Sequence, residues 1–109
     1  MQRMAQIIRV RPEQIDRYVE VHRAVWPEVL AKIAECNMTN YSIFLRRPEN
    51  LLFAYFEYHG TDFEADQAKM AADPRTQEWW AITAPMQQQL ASADENEWWS
   101  GADEVFHVD

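Results

Sequence analysis

The sequence predicts an α+β fold in which one antiparallel sheet carries its helices on a single face. Three observations predict it: a helical repeat that starts at a proline after an apolar run, two adjacent β-rich runs joined by a turn, and further helix start signals after them. The resulting order is β-α-β-β-α-β. A chain of 109 residues with 48% hydrophobic content fits one compact domain over residues 1–109.

The first strand is predicted over residues 3–10, where apolar and polar residues mix. Pro12 then suits the first turn of a helix, because that turn does not use the N–H that proline lacks. Over residues 15–33 apolar and aromatic side chains recur every three or four positions, which lines one face of a helix.

Pro27 lies inside this repeat and predicts an interruption. A proline within a helix removes a backbone hydrogen bond and clashes with the preceding turn. We therefore expect a break near Trp26, which would anchor the core at the kink, and a second helical segment from Pro27 to about Cys36.

Residues 40–46 and 51–58 are rich in β-branched and aromatic residues, and the spacer Arg-Pro-Glu-Asn between them is typical of a turn. They predict a hairpin. In the second run both alternating sets are mainly apolar: Leu51, Phe53 and Tyr55 on one face, and Leu52, Ala54, Phe56 and Tyr58 on the other. Because helices cover only one face, we expect a second copy of the chain to cover the other, as a homodimer with the sheets face to face.

Two start signals predict the helices that follow. Thr61 and Glu64 fit a capping box, so a helix is expected to run from there to about Ala72. Asp73-Pro74 joins an N-cap to a proline and predicts another helix through the Trp-Trp pair toward Pro85.

The chain end predicts a polar loop over residues 91–97 and a last strand over residues 104–108, where apolar and polar residues alternate. This completes the ferredoxin-like arrangement, with both helical regions on one face of an antiparallel sheet.

Composition excludes several classes of function. Two widely separated glycines, Gly60 and Gly101, are too few for a P-loop or a G-x-G-x-x-G dinucleotide turn. A net charge of −8 argues against a nucleic-acid partner, and Arg46–Arg47, the only adjacent basic pair, is interpreted as a solvated strand end.

The lone Cys36 permits neither an intrachain disulfide nor a multi-thiolate zinc site, and we expect a buried, inert thiol. No apolar run approaches the ~20 residues that cross a membrane, and the first residues lack a signal peptide. A cytoplasmic protein without membrane partners is therefore expected.

Tyr18 and His22 are the first candidates for chemistry, since residues four apart are neighbours on one helix face. An imidazole exchanges protons near neutral pH, and a phenol beside it can orient a hydroxyl-bearing substrate or relay a proton. A histidine at the core edge with both ring nitrogens satisfied is the structural alternative.

The tryptophans are the second candidates. Trp79 and Trp80 point about 100° apart on a helix, so one is expected inward and the other on a flank, where an indole suits the C–H face of a sugar. Trp98 and Trp99 are expected at the dimer seam. The three histidines lack metal-ligand spacing, so no metal is expected.

Several segments together resemble the L-rhamnose mutarotase family over nearly the whole chain. They are Tyr18-x-x-x-His22, Val25–Glu28, Asn40-Tyr41-x-Ile43, Asn50–Ala54, Trp79-Trp80 and Glu104–Phe106. The resemblance implies a dimeric α/β barrel of ferredoxin-like subunits without a cofactor. It also implies that His22 is the proton donor and that Tyr18, Tyr41, Trp79 and Trp80 contact a monosaccharide.

The same resemblance implies interconversion of the α and β anomers of a 6-deoxyhexose by acid–base ring opening, with L-rhamnose as the first candidate. Arg46 and Arg47 depart from the family pattern, so L-fucose stays open as the sugar. Two further classes fit the frame: a haem-binding or monooxygenase-like protein, and a sugar-binding module without catalysis.

Overall fold

The computed structural model describes residues 1–109 and contains one five-stranded sheet and four α-helices. The strands are β1 (Gln2–Val10), β2 (Met38–Arg46), β3 (Leu51–Tyr58), β4 (Gln87–Gln88) and β5 (Ser100–Ala102). The α-helices are α1 (Ile15–Val21), α2 (Pro27–Glu35), α3 (Phe63–Ala71) and α4 (Pro74–Thr83). Short 3-10 helices occur at Pro12–Gln14, His22–Ala24 and Ala84–Met86.

The sheet is antiparallel throughout and has the order β2-β3-β1-β4, with β5 also paired to β1. The hairpin of β2 and β3 and the long pairing of β1 with β3 are those expected of the predicted arrangement. The predicted α+β, ferredoxin-like fold is therefore confirmed, with one change at its last strand.

The prediction of a last strand over residues 104–108 is wrong. The free edge of β1 is shared by two short strands: β4 pairs with Arg9 and Val10, and β5 pairs with residues 5–7. Beyond Ala102 the chain has no regular structure, and Glu104 forms an ion pair with Arg3 at 2.9 Å. Alternation alone predicts a strand only where a neighbouring strand offers a free edge.

The capping box predicted at Thr61 is also wrong by one residue. Asp62 is the N-cap of α3, and its side chain accepts a hydrogen bond from the Ala65 N–H. Both residues are good N-caps, and Asp62 supplies the carboxylate that favours the positive end of the helix. The second start signal is confirmed, because Asp73 caps α4 by accepting from the Thr76 N–H.

The break predicted near Trp26 is confirmed. The chain leaves the helical conformation at Val25 and Trp26, and α2 starts at Pro27 with proline in its first turn. This break lets α1 and α2 cover different parts of the sheet.

All helices lie on one face of the sheet. The strand side chains on that face are buried, among them Ile8, Val10, Leu52, Ala54, Phe56 and Tyr58. Cys36 is buried there too, as expected. On the opposite face Phe44 and Phe53 pair across β2 and β3 and are 62% and 39% exposed. None of the four helices has the length and apolar character needed to cross a bilayer.

Candidate active site

A cavity of about 210 Å³ opens between α1 and the helix-covered face of the sheet. It is lined mainly by apolar residues, with three polar side chains among them: Val10, Ile15, Tyr18, Val19, His22, Arg23, Ile43, Leu45 and Leu52. Drug-sized ligands occupy pockets of ~300–1,000 Å³, so this cavity suits a smaller molecule. An apolar cavity with few polar groups is the usual form of a small-molecule site.

Tyr18 and His22 meet in this cavity because one helical turn separates them. Their ring centroids lie 4.3 Å apart in a stacked arrangement. The His22 Nδ1 lies 2.8 Å from the backbone carbonyl of Tyr18. A carbonyl only accepts, so Nδ1 donates, and Nε2 is the nitrogen left for proton exchange.

The surroundings of His22 favour the neutral imidazole. Burial lowers the pKa of His22 below its ordinary 6.5, and the hydrogen bond to the Tyr18 carbonyl opposes that shift more weakly. At pH 7 the ring is therefore neutral, with a hydrogen on Nδ1 and a lone pair on Nε2. The lone pair on Nε2 can take a proton, and the lowered pKa makes the charged ring give that proton up readily.

Trp79 supports His22 from the side of α4. The rings of Trp79 and His22 meet edge to face with their centroids 5.4 Å apart, and the ring of Trp26 lies 5.2 Å from that of Trp79. The Arg75 guanidinium lies 3.7 Å above the Trp26 ring. The expectation that one of the two adjacent tryptophans faces inward is met, because Trp79 is 7% exposed and Trp80 is 39% exposed.

Tyr41 reaches the helix-covered face through a β-bulge. Thr39 pairs with Glu57 and Ser42 pairs with Tyr55, so β2 carries one extra residue between those pairs. Asn40 takes up that residue with a left-handed backbone, φ 48°. Without the bulge, strict alternation would turn Tyr41 to the open face of the sheet.

Once turned, the Tyr41 ring lies 5.3 Å from that of buried Phe56. Although 37% of the Tyr41 surface is exposed, burial of the phenol raises its pKa to about 12, and the nearby Tyr18 adds to the shift. Tyr41 is thus a neutral hydrogen-bond donor at any physiological pH.

The buried hydroxyl of Tyr18 has a partner that the sequence did not suggest. Gln87 Nε2 donates to Tyr18 Oη at 3.1 Å, and Trp98 Nε1 donates to Gln87 Oε1 at 2.6 Å. Burial raises the pKa of Tyr18, and the Gln87 hydrogen bond opposes the rise. Trp99 packs against the core cluster that contains Tyr18.

Of the predicted site residues, the cavity wall includes Tyr18 and His22 but not Tyr41, Trp79 or Trp80. Trp79 touches the wall through His22. Two further residues of the site were not predicted from the sequence: Arg23, which its position next to His22 could have indicated, and Gln87, which is 69 residues from its partner Tyr18.

The other two histidines lie apart from the site. His59 Nε2 is 2.9 Å from the Thr39 hydroxyl, and His107 Nε2 is 2.8 Å from Asp109. No three His, Cys, Asp or Glu side chains lie together as metal ligands.

Fold and site together define a small α+β protein with a small, mainly apolar cavity lined by a tyrosine and a histidine, and an imidazole is a group that can exchange protons near neutral pH. Comparison with known proteins specifies this class. A family model described as L-rhamnose mutarotase matches residues 3–108. The chain belongs to the L-rhamnose mutarotase family.

Individual relatives agree along the whole chain. The L-rhamnose mutarotase of Oceanobacillus iheyensis is 34% identical over 109 residues, with all of both chains covered. That of Pectobacterium atrosepticum is 34% identical over 110 residues with the same coverage. The crystal structure of L-rhamnose mutarotase from Formosa agariphila superimposes with a TM-score of 0.80 at 25% identity, again covering both chains in full.

Proposed function

We propose that the protein interconverts the α and β anomers of L-rhamnose by acid–base ring opening. The observation that carries the proposal is the neutral His22 in the cavity, with Nδ1 engaged by the Tyr18 carbonyl and Nε2 without a partner in the chain. The family match and the relatives named L-rhamnose mutarotase support the same reaction and sugar.

Ring opening moves protons and no redox electrons. The anomeric hydroxyl oxygen and the ring oxygen are bonded to the same carbon. As the anomeric O–H bond breaks, that oxygen forms a carbonyl with the carbon, the bond from the carbon to the ring oxygen breaks, and the ring oxygen gains a proton. Rotation of the aldehyde and reclosure in the reverse order give the other anomer.

His22 Nε2 is the atom to which we assign the proton delivered to the ring oxygen. Starting from the neutral imidazole, Nε2 takes the proton of the anomeric hydroxyl and returns a proton to the ring oxygen. Every proton that moves is thus exchanged between the sugar and His22, so this chemistry requires no cofactor. General acid–base catalysis of this kind raises a reaction rate by ~10²–10⁴-fold.

Four aromatic residues are proposed to hold the sugar. Tyr18 and Tyr41 supply phenols for its hydroxyl groups, and their raised pKa values keep both as donors. Trp79 and Trp80 supply the apolar wall for the C6 methyl group, Trp79 beside His22 and Trp80 with its exposed indole.

A homodimer is proposed through the open face of the sheet. Ile7, Phe53 and Phe44 form one row across β1, β3 and β2 on that face. A patch of this kind on a soluble chain is typical of an interface, and an isologous pair of identical faces closes as a dimer.

Anomer-exchange NMR tests the function. Saturation transfer between the α and β signals is measured on L-rhamnose and on L-fucose, with wild-type protein and with His22→Ala. Faster exchange of L-rhamnose by the wild type, and none above buffer by a folded His22→Ala variant, is expected. A preference for L-fucose would replace the sugar while keeping the reaction.

The two other classes are tested on the same samples. A Soret band in the purified protein would favour the haem-binding class. Saturable L-rhamnose binding without faster exchange would favour a binding module. Exchange at the buffer rate with the wild type would overturn the proposed mutarotase.

A further inference from the structure

A hydrogen-bonded chain runs from the protein surface to the site. Trp98, 42% exposed, donates to Gln87, which is 6% exposed and donates in turn to Tyr18, which is 5% exposed. These residues come from α1, β4 and the loop before β5. The fold therefore joins three segments in one hydrogen-bonded chain that ends at the phenol oxygen of Tyr18.

The chain has a fixed polarity. An indole N–H only donates, so the Gln87 atom that faces Trp98 is the carbonyl oxygen Oε1. The other end of the same amide is then the NH₂ group, which only donates. A side-chain amide can adopt two orientations related by a 180° turn, and the bond from Trp98 selects the one in which Gln87 Nε2 faces Tyr18.

This polarity determines what Tyr18 can do. Its oxygen accepts from Gln87, so its own hydrogen is free for another acceptor. Gln87 is the only side chain that bonds the Tyr18 hydroxyl, and Tyr18 lines the cavity beside His22. The hydrogen is available to a ligand in that cavity.

We propose that Gln87 is a positioning residue that, held by Trp98, makes Tyr18 a hydrogen-bond donor to an oxygen of the bound sugar. This inference rests on the proposed mutarotase function of the same site. It assigns a role to Trp98, an expected dimer-seam residue, and explains why a buried glutamine lies next to the active phenol.

The decisive variant is Gln87→Glu, which reverses the polarity. A carboxylate accepts from both Trp98 and Tyr18, so the Tyr18 hydrogen turns away from the sugar. We expect kcat/KM for L-rhamnose exchange to fall about tenfold, the effect of one lost hydrogen bond. Gln88→Glu, which adds the same charge at the exposed neighbouring position, is the matched control and is expected to match the wild type.

Two readouts separate positioning from simple structural damage. Protonation of the introduced carboxyl gives it a hydrogen to donate to Tyr18, so the ratio of variant to wild-type kcat/KM is expected to rise as the pH falls. In a Tyr18→Phe background Gln87→Glu is expected to change kcat/KM less than twofold, because the group it acts through is gone.

Trp98→Phe keeps the proposal testable if Gln87→Glu does not fold. Loss of the indole N–H frees the Gln87 amide to turn, and kcat/KM is expected to fall about threefold. Trp99→Phe is the control, because it loses no hydrogen bond, and its kcat/KM is expected to match that of the wild type. If the wild type is active, either of two results overturns this inference and leaves the proposed function standing. One is a Trp98→Phe variant with the kcat/KM of the wild type, and the other is an equal loss of kcat/KM on Gln87→Glu with and without Tyr18→Phe. A wild type without exchange activity overturns the proposed function, and this inference with it.

Discussion

His22 is held by Tyr18, the residue one helical turn before it, through two contacts that do not involve the Tyr18 hydroxyl. The rings stack at 4.3 Å, and His22 Nδ1 donates to the Tyr18 carbonyl at 2.8 Å. The backbone of α1 therefore selects the tautomer of the imidazole. The phenol hydroxyl is left for a separate role, and Tyr18→Phe removes that role while keeping the support of His22.

The pH dependence of anomer exchange is expected to follow His22. Because burial holds its pKa below 6.5, kcat/KM stays level from neutral pH down past 6.5 and falls only when the imidazole becomes charged. The unfolded chain takes up that proton near pH 6.5, before the folded chain does, so the contribution of His22 to stability declines from about pH 6.5 down to the lower folded pKa and is constant below it.

NMR titration of the His22 ring, assigned by comparison with His22→Gln, measures the pKa directly. A midpoint above 6.5, or activity that rises on acidification, would contradict the neutral starting imidazole.

Tyrosine ionisation is expected to be delayed in the folded protein. Burial raises the pKa of all four tyrosines, that of Tyr41 to about 12. Between pH 10 and 12 the unfolded chain loses phenol protons that the folded chain keeps, so stability falls as the pH rises.

Tyrosinate absorbance is measured against pH in buffer and in denaturant, with Tyr41→Phe as the variant that removes the highest-pKa phenol. Superimposable titrations with and without denaturant would show that the folded protein does not protect its phenols.

The two adjacent tryptophans of α4 are expected to differ in their effect on stability. Trp79 is buried against His22 and Trp26, so Trp79→Ala is expected to lower the free energy of unfolding by about 3–5 kcal/mol. Trp80 is 39% exposed, and Trp80→Ala is expected to stay within about 1 kcal/mol of the wild type. Urea unfolding measures both.

KM for the sugar completes this comparison. Trp80→Ala with wild-type stability and a raised KM agrees with an indole wall for the C6 methyl group. An unchanged KM would remove Trp80 from the proposed sugar contacts.

Local patterns were sufficient to predict most of the fold. The hairpin, the break near Trp26 and the Asp73 cap depend on neighbouring residues, and each is present. The last strand depends on what else pairs with β1, and Ser100–Ala102 has a small-residue composition that does not suggest a strand.

The candidate site divides in the same way. The i, i+4 spacing was sufficient to bring Tyr18 and His22 together. Gln87 reaches Tyr18 only because β4 pairs with the end of β1, and no short-range pattern encodes that contact. The side to which Tyr41 points depends on the bulge at Asn40, which alternation in the sequence does not reveal.

The bulge at Asn40 is expected to be sensitive to the shape of the side chain. A β-branched residue is strained at a φ of 48°, so Asn40→Val is expected to lower stability by about 1–3 kcal/mol. It is also expected to raise KM by turning Tyr41 away from the helix-covered face.

Asn40→Gly is the matched control, because it accepts the backbone conformation and loses only the 3.0 Å hydrogen bond to Glu57. Equal KM values for the two variants would mean that the bulge does not aim Tyr41.

The open sheet face is expected to hold the proposed homodimer together. Phe44 and Phe53 are directly paired on β2 and β3 at its centre, with Ile7 beside them on β1. Size-exclusion chromatography with light scattering is expected to give twice the 12.9 kDa of the chain for the wild type. Phe44→Glu would bury a carboxylate at the interface between the two copies, and we expect the dimer dissociation constant to rise at least 100-fold, the equivalent of about 3 kcal/mol.

Leu30→Glu is the control, because it changes a residue that is 53% exposed on α2, away from this face, and the variant is expected to remain dimeric. A wild type that elutes as a monomer at micromolar concentration would contradict the homodimer. Dissociation by Leu30→Glu but not by Phe44→Glu would show that the interface lies elsewhere.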